Sequence, residues 1–191
     1  GFINCANLKE LNLPDTIQRI PAETAFAGCT ALENINIYNN GAYQPRYSSQ
    51  DGVLFDRGEA TAQHALRPAF MPAAKTGTYV IPNGVDIIPR ASFSGSKIEK
   101  VIIPSSVTSI EAEAFANCEN LSSVVFENPG ANGSALSIGA RAFMNCTQLT
   151  TITLPARLAS ISLLRYDELR IDTFESINEL TEQANDAFLG C

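Results

Sequence analysis

The chain has 191 residues, of which 45% are apolar, and this excludes an intrinsically disordered protein while allowing one ordinary domain or one array of small repeats. The formal net charge is -7, and seven acids against a single arginine in residues 167–186 account for most of it. Because the remaining body is nearly neutral and has no basic stripe, we expect neither nucleic acid nor an anionic membrane surface as a partner.

The N-terminal stretch GFINCANLKELNL does not show the basic region and apolar region of a signal peptide. No apolar run approaches the roughly 20 residues that span a bilayer. We therefore expect neither a signal peptide nor direct membrane insertion within this segment.

A repeat begins at the start of the chain and returns along most of it. Its period is about 23 residues, inside the range of leucine-rich repeats, and a unit of that size cannot bury its own apolar face. The copies must therefore stack. Each copy is anchored by a phenylalanine, and these are Phe2, Phe26, Phe93, Phe115, Phe143 and Phe188.

Each position of the repeat has a structural meaning. The segment Leu-x-x-Ile-x-Ile puts alternate apolar residues on one face of a short strand, and copies of that strand are expected to pair into a parallel sheet. The stretch before each phenylalanine, EAEAFA at residues 111–116, is rich in helix formers and predicts one short helical turn.

The residue two places after each phenylalanine is always Gly or Asn. These residues best tolerate a positive φ, so we predict a left-handed residue that ends each turn. The residues are Asn4, Gly28, Gly95, Asn117, Asn145 and Gly190.

The five cysteines, Cys5, Cys29, Cys118, Cys146 and Cys191, occupy the next repeat position, and Ser96 replaces cysteine in the remaining copy. An odd count without C-x-x-C spacing indicates neither a zinc site nor a closed disulfide framework. We expect an interior column of small apolar side chains that are reduced and react slowly. Neighbouring strands are about 4.8 Å apart, a distance that a disulfide tolerates between Cα atoms. A disulfide between Cys5 and Cys29, or between Cys118 and Cys146, under oxidising conditions therefore remains an alternative.

An insert at residues 39–77 interrupts the repeats. Asp51-Gly52 and Arg57-Gly58 turns around Val53–Phe55 predict a hairpin that projects from the stack. Tyr and Arg are frequent interface anchors, but for any single residue the favoured alternative is that aromatic side chains fasten the insert to the repeats. The candidates for binding in the insert are Tyr43, Arg46 and Tyr47, whereas His64 is interpreted as an ordinary loop residue.

Two further segments depart from the repeat. Residues 128–134 are turn formers and predict a surface loop. Residues 162–186 form an irregular C-terminal segment, in which residues 172–186 predict an acidic amphipathic helix that covers the open end of the stack, with a calcium or partner site as the alternative.

The pattern I-x-x-x-A-F-x-[NG]-C-x-x-L-x-x-I-x-I-P resembles the BspA-like class of bacterial leucine-rich repeats over residues 2–38, 79–126 and 138–161. The Gly52–Phe55 stretch is similar to an insertion that recurs in that class. The resemblance implies a secreted or cell-surface protein that binds a protein or glycan ligand, typically in adhesion to host or matrix proteins.

We therefore expect a single domain over 1–191, with repeats at about 1–38, 79–161 and 187–191. Its fold class is an α/β repeat solenoid, a leucine-rich-repeat right-handed superhelix of mostly short parallel β-strands with short helical turns.

Alternation along each strand identifies the side chains that face solvent on the sheet. We expect a ligand surface among them, with Ile102 and Val125 adjacent. The candidates are Glu10, Asn12, Asn34, Asn36, Lys100, Ile102, Ser123, Val125, Thr151 and Thr153.

Three functions remain open: a binding or adhesion module, a structural spacer that binds nothing, and an enzyme. The enzyme hypothesis is the weakest, because G-x-S-x-G, H-E-x-x-H, P-loop and dinucleotide patterns are missing from the sequence. We expect no catalytic residues, no cofactor and no metal.

Overall fold

A computed structural model describes residues 1–41, 45–58, 66–127, 134–161 and 187–191. They fall into two compact units, Gly1–Lys75 and Thr76–Cys191. The expectation of one domain over the whole chain stays a prediction.

The described residues form one short helix and thirteen strands. The helix α1 spans Ala22–Ala25, and the strands are β1 (Glu10–Pro14), β2 (Asn34–Tyr38), β3 (Tyr47–Gln50), β4 (Val53–Asp56), β5 (Arg67–Phe70), β6 (Thr76–Val80), β7 (Ile87–Ile88), β8 (Lys97–Ile103), β9 (Ser109–Ile110), β10 (Ser123–Phe126), β11 (Leu136–Ile138), β12 (Thr151–Thr153) and β13 (Leu158–Ile161).

The first unit contains one parallel pair and one antiparallel sheet. Strands β1 and β2 pair in parallel, as the repeat predicts, with Leu11 opposite Ile35. Strands β3, β4 and β5 form the antiparallel sheet of the insert. A core cluster around Phe26, Leu32, Ile35 and Leu54 joins the two parts.

The predicted hairpin of the insert is confirmed, but the prediction that it projects is wrong. Asp51 and Gly52 both have positive φ, as a two-residue hairpin turn requires. Val53, Leu54 and Phe55 are fully buried. The N–H of Ile35 donates to Gly52 O at 2.8 Å, so the hairpin packs against β2. Three consecutive apolar residues cannot be left in water on an extended hairpin, and their burial places the insert against the repeats.

The second unit contains two parallel four-stranded sheets. One has the order β12-β10-β8-β6 and the other the order β13-β11-β9-β7. Each turn of chain thus contributes one strand to each sheet, which is the arrangement of a β-solenoid. The second sheet was not expected, because its strands are two to four residues long and carry no alternating pattern.

Between the two strands of a turn, the segment around each phenylalanine pairs with its neighbour through backbone hydrogen bonds. The N–H groups of Phe93 and Gly95 donate to Ala114 O at 2.9 Å and Ala116 O at 2.8 Å. The equivalent hydrogen bond in the next turn runs from the Phe115 N–H to Ala142 O at 2.7 Å. These bonds satisfy backbone groups from turn to turn instead of within a helix.

The predicted short helical turns are therefore wrong for the repeat, and α1 is the sole helix of the described residues. Ala91, Glu113 and Arg141, each two places before the phenylalanine, have φ between 53° and 60°. A left-handed residue interrupts the right-handed backbone that a helix needs. The segment between Ile20 and Phe26 is one residue longer than the corresponding segment of the other copies, and this longer segment forms the helix α1.

The predicted left-handed residues after the phenylalanines are all confirmed. All six have φ between 58° and 77°. In one neighbouring pair, Asn145 Nδ2 also donates to Asn117 Oδ1 at 2.9 Å.

In the second unit, the phenylalanines of the repeat form an interior stack. Phe115 is fully buried between Phe93 and Phe143, with ring centroids 4.8 Å and 5.2 Å away. The predicted core role of Phe115 is confirmed.

The predicted cysteine column is confirmed only in part. Cys29, Cys118 and Cys146 are buried, whereas Cys5 and Cys191, in the outermost described turns, are exposed. The thiols are also more than apolar filler, since Cys118 Sγ donates to Phe93 O at 3.1 Å and Cys146 Sγ to Phe115 O at 3.1 Å. Ser96 is buried 3.4 Å from Cys118 Sγ, as expected for its replacement in the column.

Four predictions lie outside the described residues. They are the loop at 128–134 except for Ser134, the acidic helix at 172–186, the loop position of His64 and the binding candidate Tyr43.

Candidate functional site

The solvent face of the sheet β12-β10-β8-β6 carries a row of polar side chains. The strand register places Thr78 beside Lys100, Lys100 beside Ser123, and Ser123 beside Thr151. Neighbouring strands are about 4.8 Å apart, so the row crosses the sheet at right angles to the strands. We call these four residues the polar row.

A second row runs parallel to the first, two residues further along each strand. It contains Val80, Ile102, Val125 and Thr153, paired in that order. Val80 is 51% exposed and Val125 36%. The predicted adjacency of Ile102 and Val125 is confirmed, since they are register partners on β8 and β10. We call these four residues the apolar row.

Hydrogen-bonding groups in the polar row are available to a ligand. Within the described part of the chain, the side chains of Thr78, Lys100, Ser123 and Thr151 make no hydrogen bond or ion pair with other side chains or backbone. The neighbouring Ser122 hydroxyl, by contrast, donates to Glu99 O at 3.0 Å. The polar row therefore offers three hydroxyls and one ammonium group beside an apolar strip.

The corresponding face of the first unit is polar and internally bonded. Glu10 lies beside Asn34 and Asn12 beside Asn36 in the register of β1 and β2. Asn36 Nδ2 donates to Glu10 Oε1 at 2.8 Å and to Asn12 Oδ1 at 3.1 Å. Both hydrogens of that amide are engaged, so fewer donors remain for a ligand.

Among the candidate residues of the insert, Tyr47 is 2% exposed. Its hydroxyl accepts the Ile20 N–H at 2.9 Å, and this contact fits the alternative in which aromatic residues fasten the insert. Tyr47 thus has almost no surface for a ligand. Arg46 is half-buried and forms an ion pair with Asp56 at 3.0 Å. Tyr43 lies outside the described residues.

Thr78 and Val80 complete the two rows and were missed by the sequence analysis. They alternate around the buried Tyr79 in the strand TGTYV, which is the same signal that identified the other outward residues. Both residues directly follow the insert at 39–77, where the strand frame of the repeat is incomplete, and only the pairing of β6 with β8 shows that they share the sheet.

No potential metal-binding cluster of three His, Cys, Asp or Glu side chains is found in the described ranges. Among these residues, no helix is long and apolar enough to cross a membrane.

Stacked turns, each giving one strand to a parallel sheet, with buried phenylalanines and an open sheet face, define a β-solenoid of the leucine-rich-repeat type. The chain belongs to the BspA type leucine rich repeat family, whose model matches six copies over residues 1–48 and 67–191. The match skips residues 49–66, which contain the turn and second strand of the insert hairpin.

Several solved structures share the fold. A leucine rich cell surface protein from Faecalibacterium prausnitzii A2-165 is 24% identical with a TM-score of 0.62, and the match covers 82% of this chain and 38% of that one. A leucine-rich repeat protein from Bacteroides capillosus ATCC 29799 is 25% identical with a TM-score of 0.51, over 61% of this chain and 88% of that one.

The pneumococcal vaccine antigen PcpA is 19% identical with a TM-score of 0.56, over 81% of this chain and 42% of that one. This chain thus spans less than half the length of the F. prausnitzii and pneumococcal chains. Comparison with curated proteins gave no significant match.

Proposed function

We propose that this chain is an extracellular or cell-surface binding module of a bacterium, and that it contacts a protein or glycan ligand through the polar and apolar rows of the second unit. The observation that carries the proposal is the exposed apolar row, in which Val80 and Val125 remain 51% and 36% accessible on a regular strand array. Leaving aliphatic side chains in water forgoes about 25 cal/mol per Å² of stabilisation, which a ligand would recover on binding.

The second support for the proposal is chemical. A row of free hydroxyls and one ammonium group beside an aliphatic strip combines directional hydrogen bonds with apolar contact, the mixture found in ordinary protein interfaces. The family match and the cell-surface description of the F. prausnitzii protein agree with this role and with a location outside the cell. Leucine-rich-repeat solenoids are typically non-enzymatic.

The test compares two exposed positions on different sheets. Val125→Lys places a charge in the apolar row, and Ser160→Lys places the same charge at an exposed position of the β13-β11-β9-β7 sheet. Both proteins and the parent chain are applied to immobilised extracellular-matrix proteins and to a glycan array. We expect Val125→Lys to weaken binding about tenfold or more, while Ser160→Lys leaves it unchanged.

Melting temperatures of both variants are measured alongside, because only a variant that keeps the parent's stability reports on binding. Equal binding by Val125→Lys and the parent would exclude this sheet face as the contact surface. If the parent binds nothing on either array, the structural spacer becomes the better description.

A further inference from the structure

The apolar row has a regular spacing that a ligand can match. Its four side chains lie on neighbouring strands, which puts them at about 0, 4.8, 9.6 and 14.4 Å along a line across the sheet. The side chains at positions i, i+3, i+7 and i+10 of an α-helix share one face and lie at about 0, 4.5, 10.5 and 15 Å along its axis. A helix that runs along the row therefore contacts each of the four strands once.

Other ligand shapes match the two rows less well. Side chains on one face of an extended peptide repeat at about 6.7 Å, so the fourth would lie about 20 Å from the first, beyond the end of the row. None of the eight side chains in the two rows is aromatic, so the rows offer no flat ring on which a sugar can pack. The spacing and the side chains therefore favour a helix of a protein ligand.

A positive charge lies on one side of the apolar row. Lys100 belongs to the polar row and precedes Ile102 by two residues on β8, so it lies about 6.7 Å from the apolar row. Earlier on the same strand, the exposed Lys97 and Glu99 cancel in charge. The net charge on this side is therefore that of Lys100.

Glu127 provides a negative charge on the other side of the apolar row. Its N–H donates to Ile103 O at 2.8 Å, so the chain continues the pairing of β10 with β8 past Phe126. Phe126 is buried between the exposed Val125 and Glu127, so Glu127 points outward about 6.7 Å beyond the apolar row. Lys100 and Glu127 are thus about 14 Å apart, too far to pair with each other.

We propose that the two rows bind an amphipathic α-helix of a partner protein, which runs along the apolar row with acidic residues over Lys100 and basic residues over Glu127. This partner class rests on the proposed function, because it concerns the same surface. Within the described residues, neither Lys100 nor Glu127 forms an ion pair, so both charges are available to the partner. A helix with its side chains is about 10–12 Å wide, and its flanking side chains therefore reach both charges.

The probes are three synthetic helical peptides of about twenty residues, each with leucine at i, i+3, i+7 and i+10. One carries glutamate on one flank of the leucine stripe and lysine on the other, the second carries glutamate on both flanks, and the third carries lysine on both. Binding to the folded chain is measured by fluorescence anisotropy at low ionic strength. We expect the mixed peptide to bind about two- to fivefold more tightly than either of the others, as one exposed ion pair allows.

Reversal of one charge on the protein gives the sharper readout. Lys100→Glu makes both flanks of the apolar row negative, so this variant should bind the lysine peptide about two- to fivefold more tightly than the mixed one. The control Lys9→Glu makes the same change in net charge at an exposed position of the first unit and should keep the parent's preference. A damaged fold would weaken all three peptides alike and would not reverse the preference.

The outcomes separate the helix from the proposed function. Failure of the parent to bind any of the peptides, or a Lys100→Glu variant that keeps the parent's preference, would overturn the helix. Peptide binding that Val125→Lys leaves unchanged would overturn it as well, because the peptides would then bind elsewhere on the chain. If Val125→Lys weakens binding to a matrix protein or glycan while no peptide binds, the helix is excluded and the proposed function of this face stands.

Discussion

Replacing Phe115 with alanine tests the packing of the solenoid at its best-filled point. Phe115 is fully buried, and its ring lies between those of Phe93 and Phe143 at 4.8 Å and 5.2 Å, almost parallel to the second at 1°. Truncation of a buried phenylalanine to alanine costs about 3–5 kcal/mol from lost transfer energy and the cavity left behind. Loss of two stacked ring pairs, at about 0.5–1.5 kcal/mol each, favours the upper half of that range.

The measurement is urea denaturation followed by circular dichroism. With a slope of about 2–3 kcal/mol per molar urea, a loss of about 4 kcal/mol lowers the transition midpoint by about 1.3–2 M. Phe2→Ala is the matched control at the same repeat position. Phe2 is 38% exposed, and among the described residues its ring stacks on one other, Phe26 at 6.3 Å, so its removal should cost less than about 1.5 kcal/mol.

A loss below about 1 kcal/mol for Phe115→Ala would contradict the packing argument. Equal losses for the two variants would show that a buried ring between two others contributes no more than a half-exposed ring stacked on one.

Three further predictions concern the backbone and the insert. Ala91 has φ 53°, so Ala91→Gly should relieve strain and stabilise the chain by about 0.5–1 kcal/mol. The control Ala112→Gly, which is outside the positive-φ positions, should destabilise the chain by a similar amount. Thermal melting distinguishes the two variants, and melting temperatures that shift in the same direction would refute the strain argument. Gly28→Ala should lower the melting temperature, because φ is +75° and the new Cβ would clash with the side-chain oxygen of Asn4 in the neighbouring turn; an unchanged value would count against this close approach. Tyr47→Phe should cost about 1–2 kcal/mol in urea denaturation, since the Ile20 N–H loses its acceptor at 2.9 Å; a neutral change would mean that water replaces the hydroxyl.

The exposed sheet surface was predictable residue by residue but not in its full extent. Alternation along each strand correctly gave outward positions such as Lys100, Ser123 and Val125, because successive side chains of any strand point to opposite faces. Thr78 and Val80 follow the same rule, yet only the pairing of β6 with β8 makes them part of the same surface.

The backbone around each repeat phenylalanine was likewise predictable in part, because one of its left-handed positions depends on local chemistry and the other on contacts with the next turn. The left-handed residues at the Gly or Asn position followed from side-chain chemistry alone, since few other residues tolerate that backbone. Glu113 and Arg141 adopt the same conformation without any favourable propensity. Hydrogen bonds from turn to turn, such as Glu113 N–H to Ala140 O at 3.0 Å, hold them there and replace the expected helix.

The amino-acid sequence by itself thus determined the repeat, its stacking, the buried phenylalanines and the family, because each follows from short-range spacing that recurs along the chain. Only the tertiary structure decided that Val53, Leu54 and Phe55 of the insert are buried and that the hairpin packs against β2, and that a second parallel sheet exists. Burial and strand pairing depend on which distant segments meet, and the spacing within one repeat does not encode those contacts.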